Sequence, residues 1–174
     1  MSARSAKNFN HLEFLPRVQF EDYEFTCEPY GLIITEIERL YALHWQETEQ
    51  VYRDEYYKPD HARYTQLANT GSLMLCVPRT FSGQMVGYLM FFFLPDLHRA
   101  GKLKAMEGGI FIDPEHRKGR LGLVFFDYGE RCVKQMGAAT ITASCKAPVG
   151  GPKFGVILRR RGYRHFADLY TKEI

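Results

Sequence analysis

The sequence predicts a single α/β domain with a central mixed, mostly antiparallel sheet flanked by helices, and three observations carry that expectation. With 174 residues, 45% of them hydrophobic, the chain has enough apolar mass for one core and too little for two ordinary domains. Its hydrophobic periods run helix, helix, hairpin, strand, helix, strand, helix, strand. A helix between two late strands favours their parallel pairing, whereas a hairpin is antiparallel.

Taken in order, residues 1–10 read as a flexible polar tail, and residues 11–174 as the domain. Phe20–Glu28 alternates imperfectly and reads as an edge strand or an irregular arm. From Tyr30 to Glu49, Leu32, Ile33, Ile37, Leu40, Tyr41 and His44 recur at helical spacing, which predicts an amphipathic helix. A second helix, Asp60–Asn69, has Asp60 as its cap and Gly71 as its stop. Ser72–Pro78 and Met85–Leu94 are apolar runs around the turn Phe81–Gln84, so they read as a hairpin. A linker with His98, Arg99 and Gly101 leads to the strand Ala105–Ile112, closed by Asp113-Pro114. The helix Leu121–Met136 ends at Gly137, Thr140–Cys145 is the next strand, Phe154–Arg161 the last helix, and Leu169–Lys172 a final strand.

Several classes are set aside by composition. The longest apolar run, Met85–Leu94, falls far short of the roughly 20 residues that span a bilayer, and no signal-type segment follows the first residues. A cytoplasmic protein with no membrane partner is the expectation. Cys27, Cys76, Cys132 and Cys145 show no C-x-x-C pair and read as reduced, mostly buried thiols, with no metal expected. Charge is uneven: residues 1–70 carry a net −5 and residues 71–174 a net +8. That asymmetry suits a polyanion held by the second half and a cation faced by the first, although two halves that merely complement each other would show it too.

The most informative stretch is the basic glycine turn His116-Arg117-Lys118-Gly119-Arg120-Leu121-Gly122 between a strand and a helix. Gly119 and Gly122 tolerate positive φ and close approach of a ligand, while the first amides of the helix point toward the same space. Arg117, Lys118 or Arg120 would add charge to a phosphate bound there. Neither the lysine-Ser/Thr ending of an ATP-binding loop nor a G-x-G-x-x-G run is present. By itself, the pattern also fits a solvated helix start with ordinary basic residues.

The stretch GGIFIDPEHRKGRLGLVFFDYGERCVKQMGAATI, Gly108–Ile141, closely resembles the acetyl-CoA-binding core of the GNAT superfamily, and the terminal RRRGYRHFADLYTKEI resembles that superfamily's ending. An early H-W-x-E, an L-P-D-L-H after the long strand and E-H-R-K-G-x-x-G look like the bacteriophage-encoded acetyltransferase-like branch. The resemblance implies a GNAT-like acyl-CoA N-acyltransferase domain that moves an acetyl or short acyl group from acetyl-CoA to a primary amine. Two departures stand out. The glycines are three apart instead of two, and Leu158 occupies the position of the tyrosine that commonly protonates the leaving thiolate.

On that resemblance, Phe111 and Ile112 with Arg117, Lys118, Gly119, Arg120, Leu121 and Gly122 form the cofactor site, the pantetheine lying in a gap between the strands Glu107–Ile112 and Thr140–Cys145. Glu107 is the leading base for the amine, with His98 second, and Tyr163, Tyr170 or solvent substitutes for the absent acid. Trp45, Glu47, Tyr56 and Tyr57, in an acidic and aromatic region, are the expected acceptor contacts. The acceptor is a small-molecule or protein amine. The alternatives are a non-catalytic module of the same fold, or an RNA-associated member using Arg159, Arg160 and Arg161. The family also allows a homodimer.

Overall fold

The computed structural model describes residues 12–48, 57–145, 151–170 and 172. The tail expected over residues 1–10 lies outside them. Contacts divide the chain into a larger unit, Met1–Ala143, and a smaller one, Ser144–Ile174.

In the larger unit, the arm expected over Phe20–Glu28 is a hairpin of two strands, β1 (Val18–Phe20) and β2 (Tyr23–Cys27). Its tight turn is made possible by Glu21, which has a φ of 50°, a left-handed conformation uncommon for a side chain of its size. A single 3-10 turn, Tyr30–Leu32, precedes α1 (Ile34–Thr48), so the helix expected from Tyr30 starts later. The chain then forms α2 (His61–Asn69), whose first turn is capped by the Asp60 carboxylate accepting from the Arg63 amide at 2.9 Å. Next come β3 (Leu73–Thr80), β4 (Gly87–Pro95), β5 (Leu103–Ile112), α3 (Leu121–Gln135) and β6 (Ala138–Thr142).

The six strands lie in chain order in one sheet, antiparallel from β1 to β5, with β6 parallel to β5. Alternation along the strands sorts their side chains to two faces. Leu73, Leu75, Val77, Tyr88 and Met90 join Ile37, Leu40 and Tyr41 of α1 and Ala68 of α2 in one buried cluster. On the other face Phe25 packs against Phe125 and Tyr128 of α3. Gly129 lets α3 approach β4, because a Cβ there would stand 2.4 Å from Leu89 Cδ2.

Two strands differ from the sequence expectation. The strand expected over Thr140–Cys145 ends at Thr142, and Cys145, expected to be packed, is exposed. The final strand expected over Leu169–Lys172 is not formed at its described residues. A strand exists only through its ladder, and the described residues of the smaller unit contain no second strand for it to pair with. That unit consists of α4 (Gly151–Arg160), a left-handed Gly162 at φ 88°, and a segment without regular structure in which Phe166 and Tyr170 are exposed. Its helix end is closed by amides of Gly162 and Tyr163 donating to the carbonyls of Arg159 and Leu158, each at 3.0 Å.

Candidate functional site

The centre of the site is β5, and its geometry follows from two irregularities. The first is a bulge against β4: Met90 faces Gly109 and Phe91 faces Glu107, so Gly108 is the extra residue. Glycine is required there, since a Cβ on Gly108 would stand 2.4 Å from Phe92 Cε2. The second is an early end to the parallel pairing. β5 and β6 pair from Leu103↔Ala138 to Met106↔Thr142 and no further. From Glu107 to Ile112, then, β5 has β4 on one side and no strand partner on the other among the described residues. At about 3.4 Å per residue, that open main-chain edge is about 17 Å long.

The edge runs directly into the basic turn. Asp113 accepts from the Glu115 amide at 3.2 Å and starts a 3-10 turn, Pro114–His116. Gly119 follows at φ 63°, with nothing within 4 Å of where its Cβ would be. The first hydrogen bond of α3 joins the Val124 amide to the Arg120 carbonyl at 3.0 Å, and Arg120 makes no side-chain cap. The amides of Leu121, Gly122 and Leu123 therefore precede the helical ladder as donors that no described side chain caps, at the positive end of the helix dipole. Leu121 itself turns into the core, 1% exposed. Gly122, expected at positive φ, is an ordinary helical residue, and a Cβ there would make only normal contact, 3.6 Å, with Ile112 Cδ1.

The three basic residues separate into two roles. Lys118 and Arg120 are exposed. Arg117 is engaged by the protein: Nε donates to the Ile112 carbonyl at 2.6 Å, Nη2 contacts both Glu47 oxygens at 3.0 and 2.9 Å, and the guanidinium lies 4.9 Å from the Phe111 ring centroid. Glu47, expected to meet an acceptor, thus ties the end of α1 to the turn. A parallel tie joins Arg39 of α1 to Asp113 at 2.6 Å and to the Met85 carbonyl at 3.2 Å. Burial opposes the Asp113 charge, but Arg39 and the Glu115 amide outweigh it and hold this carboxyl below its ordinary range.

Beside the open edge, Glu107 is buried, 8% exposed. Its charge, after burial and along with neighbouring tyrosines, helps keep Tyr88 from ionising. Tyr88 hydrogen-bonds His44 Nδ1 at 2.5 Å, and the His44 ring stacks on Phe111 at 5.0 Å. Trp45 and Tyr57 pack at 5.5 Å, and Tyr57 meets Tyr41 edge-on. The hydroxyls of Tyr41 and Tyr57 are buried with no hydrogen-bond partner among the described residues. Tyr56 lies outside the described residues.

The structure therefore gathers Glu107, Phe111, Ile112 and residues 117–122 along one line, with Trp45, Glu47 and Tyr57 on or beside the helix that borders it. His98 is not brought there: it is exposed on the β4–β5 loop, at the opposite end of β5 from the turn. Tyr163 is half-buried and Tyr170 exposed in the smaller unit. The His44–Tyr88 pair is not legible in sequence, where the helical period makes His44 look like core and the apolar strand run does the same for Tyr88. The signal available was a histidine on the apolar face of α1.

An uncapped helix start, an open strand edge and a glycine turn constitute an elongated site for an anionic ligand. The sequence profile of the Acetyltransferase (GNAT) family matches residues 37–149. The chain belongs to that family. It is a GNAT-fold acetyltransferase, and the activity of the family is acyl transfer from coenzyme A.

Solved structures agree on the fold. An aminoglycoside acetyltransferase from an uncultured soil metagenomic sample superposes with a TM-score of 0.70 at 12% identity, over 87% of this chain and 98% of that one. A ribosomal-protein-alanine N-acetyltransferase from Brucella melitensis biovar Abortus 2308 gives 0.62 at 16%, over 87% and 97%. A predicted acetyltransferase with acetyl-CoA from Clostridium acetobutylicum gives 0.64 at 9%, over 87% and 96%. A search of curated protein sequences finds no match. No described helix is long and apolar enough to cross a membrane.

Proposed function

We propose that this GNAT-fold protein acylates a primary amine directly, with acetyl-CoA as donor and Glu107 as the base. The observation that carries the reading is the end of the β5–β6 pairing at Met106↔Thr142, beyond which β5, with no described strand on that side, leads into the uncapped start of α3. The residues fit the cofactor in three respects: unpaired main-chain groups for a pantetheine amide chain, free amides with a left-handed glycine for a pyrophosphate, and exposed Lys118 and Arg120 for its charge. Acetyl-CoA supplies a reactive thioester, so much of the protein's task is orientation.

In this reading the amides of Leu121, Gly122 and Leu123 hold phosphate oxygens, and Lys118 and Arg120 add charge. Arg117 braces the turn, while Phe111 and Ile112 form the upper end of the groove. Glu107, about 17 Å down the strand, takes a proton from the ammonium of the acceptor so that nitrogen has a lone pair for attack. Burial of Glu107 keeps water away from the reacting centre. The acceptor lies against Trp45 and Tyr57, an aromatic pair with ring centroids 5.5 Å apart. The departing thiolate is a tolerable leaving group and takes its proton from solvent. Assignment to a bacteriophage-encoded branch rests on the H-W-x-E, L-P-D-L-H and E-H-R-K-G-x-x-G combination alone.

Two measurements test this. Acetyl-CoA at about 100 times its dissociation constant stabilises a binding protein by about 2.7 kcal/mol, and the double change Lys118→Glu/Arg120→Glu is expected to abolish that rise in melting temperature. A rise of equal size in the double variant would sink the proposed turn. A panel of amines, aminoglycosides included because of the structural neighbour, identifies the acceptor. With it in hand, Glu107→Gln is expected to lower kcat by 100-fold or more, on the order of a general base's contribution, while leaving the acetyl-CoA shift intact. Unchanged turnover would assign the base elsewhere.

A further inference from the structure

Away from the groove, on the α3 face of the sheet, three of the four cysteines converge from three elements. Cys27 of β2 and Cys76 of β3 are cross-strand partners with their sulfurs 3.4 Å apart, and the Sγ atoms of Cys27, Cys76 and Cys132 of α3 all lie within 4.8 Å of one another. The Tyr128 hydroxyl points into the same place, with Cys27 Sγ as its partner at 3.5 Å. Tyr128 and Cys132 are one helical turn apart and so share a face of α3.

A packed-thiol reading accounts for each cysteine singly, because free cysteine is among the most buried residue types. It does not account for the set. The neighbouring positions of this face are filled by Phe25, Leu89, Phe91 and Phe125, none of them polar. Tyr128 is wholly buried, 0% exposed, and a buried phenol normally finds an oxygen or nitrogen partner; here it has a sulfur at a long distance. Four polar or polarisable atoms are therefore aimed at one point inside an otherwise hydrocarbon layer.

We propose that Cys27, Cys76 and Cys132, with the Tyr128 hydroxyl as fourth group, are a binding site for one thiophilic d10 cation, zinc(II). An ion at the centre of a triangle with sides of 3.4 to 4.8 Å stands about 2.0–2.8 Å from each corner, which brackets the ~2.3 Å zinc–sulfur bond. Binding forms three Zn–S bonds; three thiol protons leave to solvent and the ion sheds its waters, with no change of oxidation state. Soft thiolates select copper(I) as well, but three of them leave a net charge of −2 around copper(I) and −1 around zinc(II), and the smaller charge costs less in a buried site. Cys27, only partly buried, is the side from which an ion enters. The occupied site would pin β2 and β3 to α3, the helix whose first turn faces the groove.

The test is independent of turnover and so of the transferase reading. Full-length protein, reduced with a phosphine and freed of metal by a chelator, is titrated with cadmium(II) as a spectroscopic stand-in and with zinc(II). The expected result is one equivalent bound and a thiolate-to-cadmium charge-transfer band saturating at that ratio, with exposed Cys145 still reactive to a thiol reagent. The melting temperature should rise with zinc. Cys132→Ala should weaken uptake at least 100-fold and Tyr128→Phe about 10-fold, whereas Cys145→Ala should leave it unchanged. Absence of the band in the reduced wild-type protein would overturn the site, even if Cys132→Ala failed to fold. So would a Cys27–Cys76 disulfide that forms readily in air while the reduced protein takes up neither ion.

Discussion

The bulge at Gly108 offers the sharpest test of the β5 geometry. Replacing Gly108 by alanine places a methyl group 2.4 Å from Phe92 Cε2, 2.8 Å from Cδ2 and 3.5 Å from Met90 Sδ. The first two distances lie far inside van der Waals contact, so either the Phe92 ring swings away from Tyr64 and the α1–α2 cluster or the strand shifts. Overpacking of this kind costs about 1–3 kcal/mol, and we expect about 2. For a chain of this size each kcal/mol is worth about 2–4 °C, which gives a fall in melting temperature of about 4–8 °C. The assay is thermal unfolding of Gly108→Ala in two backgrounds, wild type and Phe92→Leu. Shortening Phe92 costs about 1 kcal/mol on its own but removes Cε2, the nearer atom, and replaces the rigid ring by methyl groups that can rotate away. In that background, alanine should be nearly neutral, so the cycle should show a coupling of about 1–2 kcal/mol. An equal penalty in both backgrounds would refute the contact, and with it the placement of the extra residue at Gly108.

Other consequences follow from the same coordinates. Gly119→Ala meets no atom within 4 Å but must hold φ at 63°, so it should lose about 1 kcal/mol from backbone strain alone, and Gly119→Asn less; comparison of the two melting curves checks this. Arg117→Met and Glu47→Gln should each change stability little, with a coupling below about 1 kcal/mol for a half-exposed pair, yet Arg117→Met should weaken acetyl-CoA binding by loosening the turn; binding titrations of both variants decide. Asp113 has a folded pKa below its unfolded value near ~3.9, so its contribution is fully present above that pH and disappears as pH falls through the folded value. Accordingly, Asp113→Asn should flatten the acid limb of the stability curve between those two pKa values, and urea melts over that range would detect it.

The sequence carried the core better than the edges. The 3.6-residue period of Leu121–Gln135 and the apolar run of β4 both reflect burial, and burial leaves a local trace in composition. Asp60 was legible as a cap because its side-chain chemistry acts within three residues. The last strand was misread because β pairing is not local: Leu169 and Tyr170 have strand-forming side chains, but a ladder depends on what lies next to them. Cys145 was placed in the core by extending β6 three residues past Thr142. Within the site, the turn was recognisable and the partner of Arg117 was not. A separation of 70 positions in sequence between Glu47 and Arg117 leaves no pattern in either segment that predicts their pairing. The cysteines show the same limit: spacings of 49 and 56 residues look scattered until β2, β3 and α3 bring the sulfurs within 4.8 Å of one another.

One excess residue on β5 also fixes how this chain tolerates changes of length. Upstream and downstream of Gly108 the strand is in different phase with β4, so each half assigns its side chains to the two layers by its own count. Losing Gly108 itself would leave Glu107↔Phe91 and Gly109↔Met90 as successive pairs of a regular ladder, whereas losing a paired residue within either half would slip that part of the strand by one and turn inward groups such as Phe111 outward. Shortening the exposed loop around Gly101 by one would leave both counts intact. The residue that β5 can lose without inverting a face is thus the one that its neighbour strand leaves unpaired.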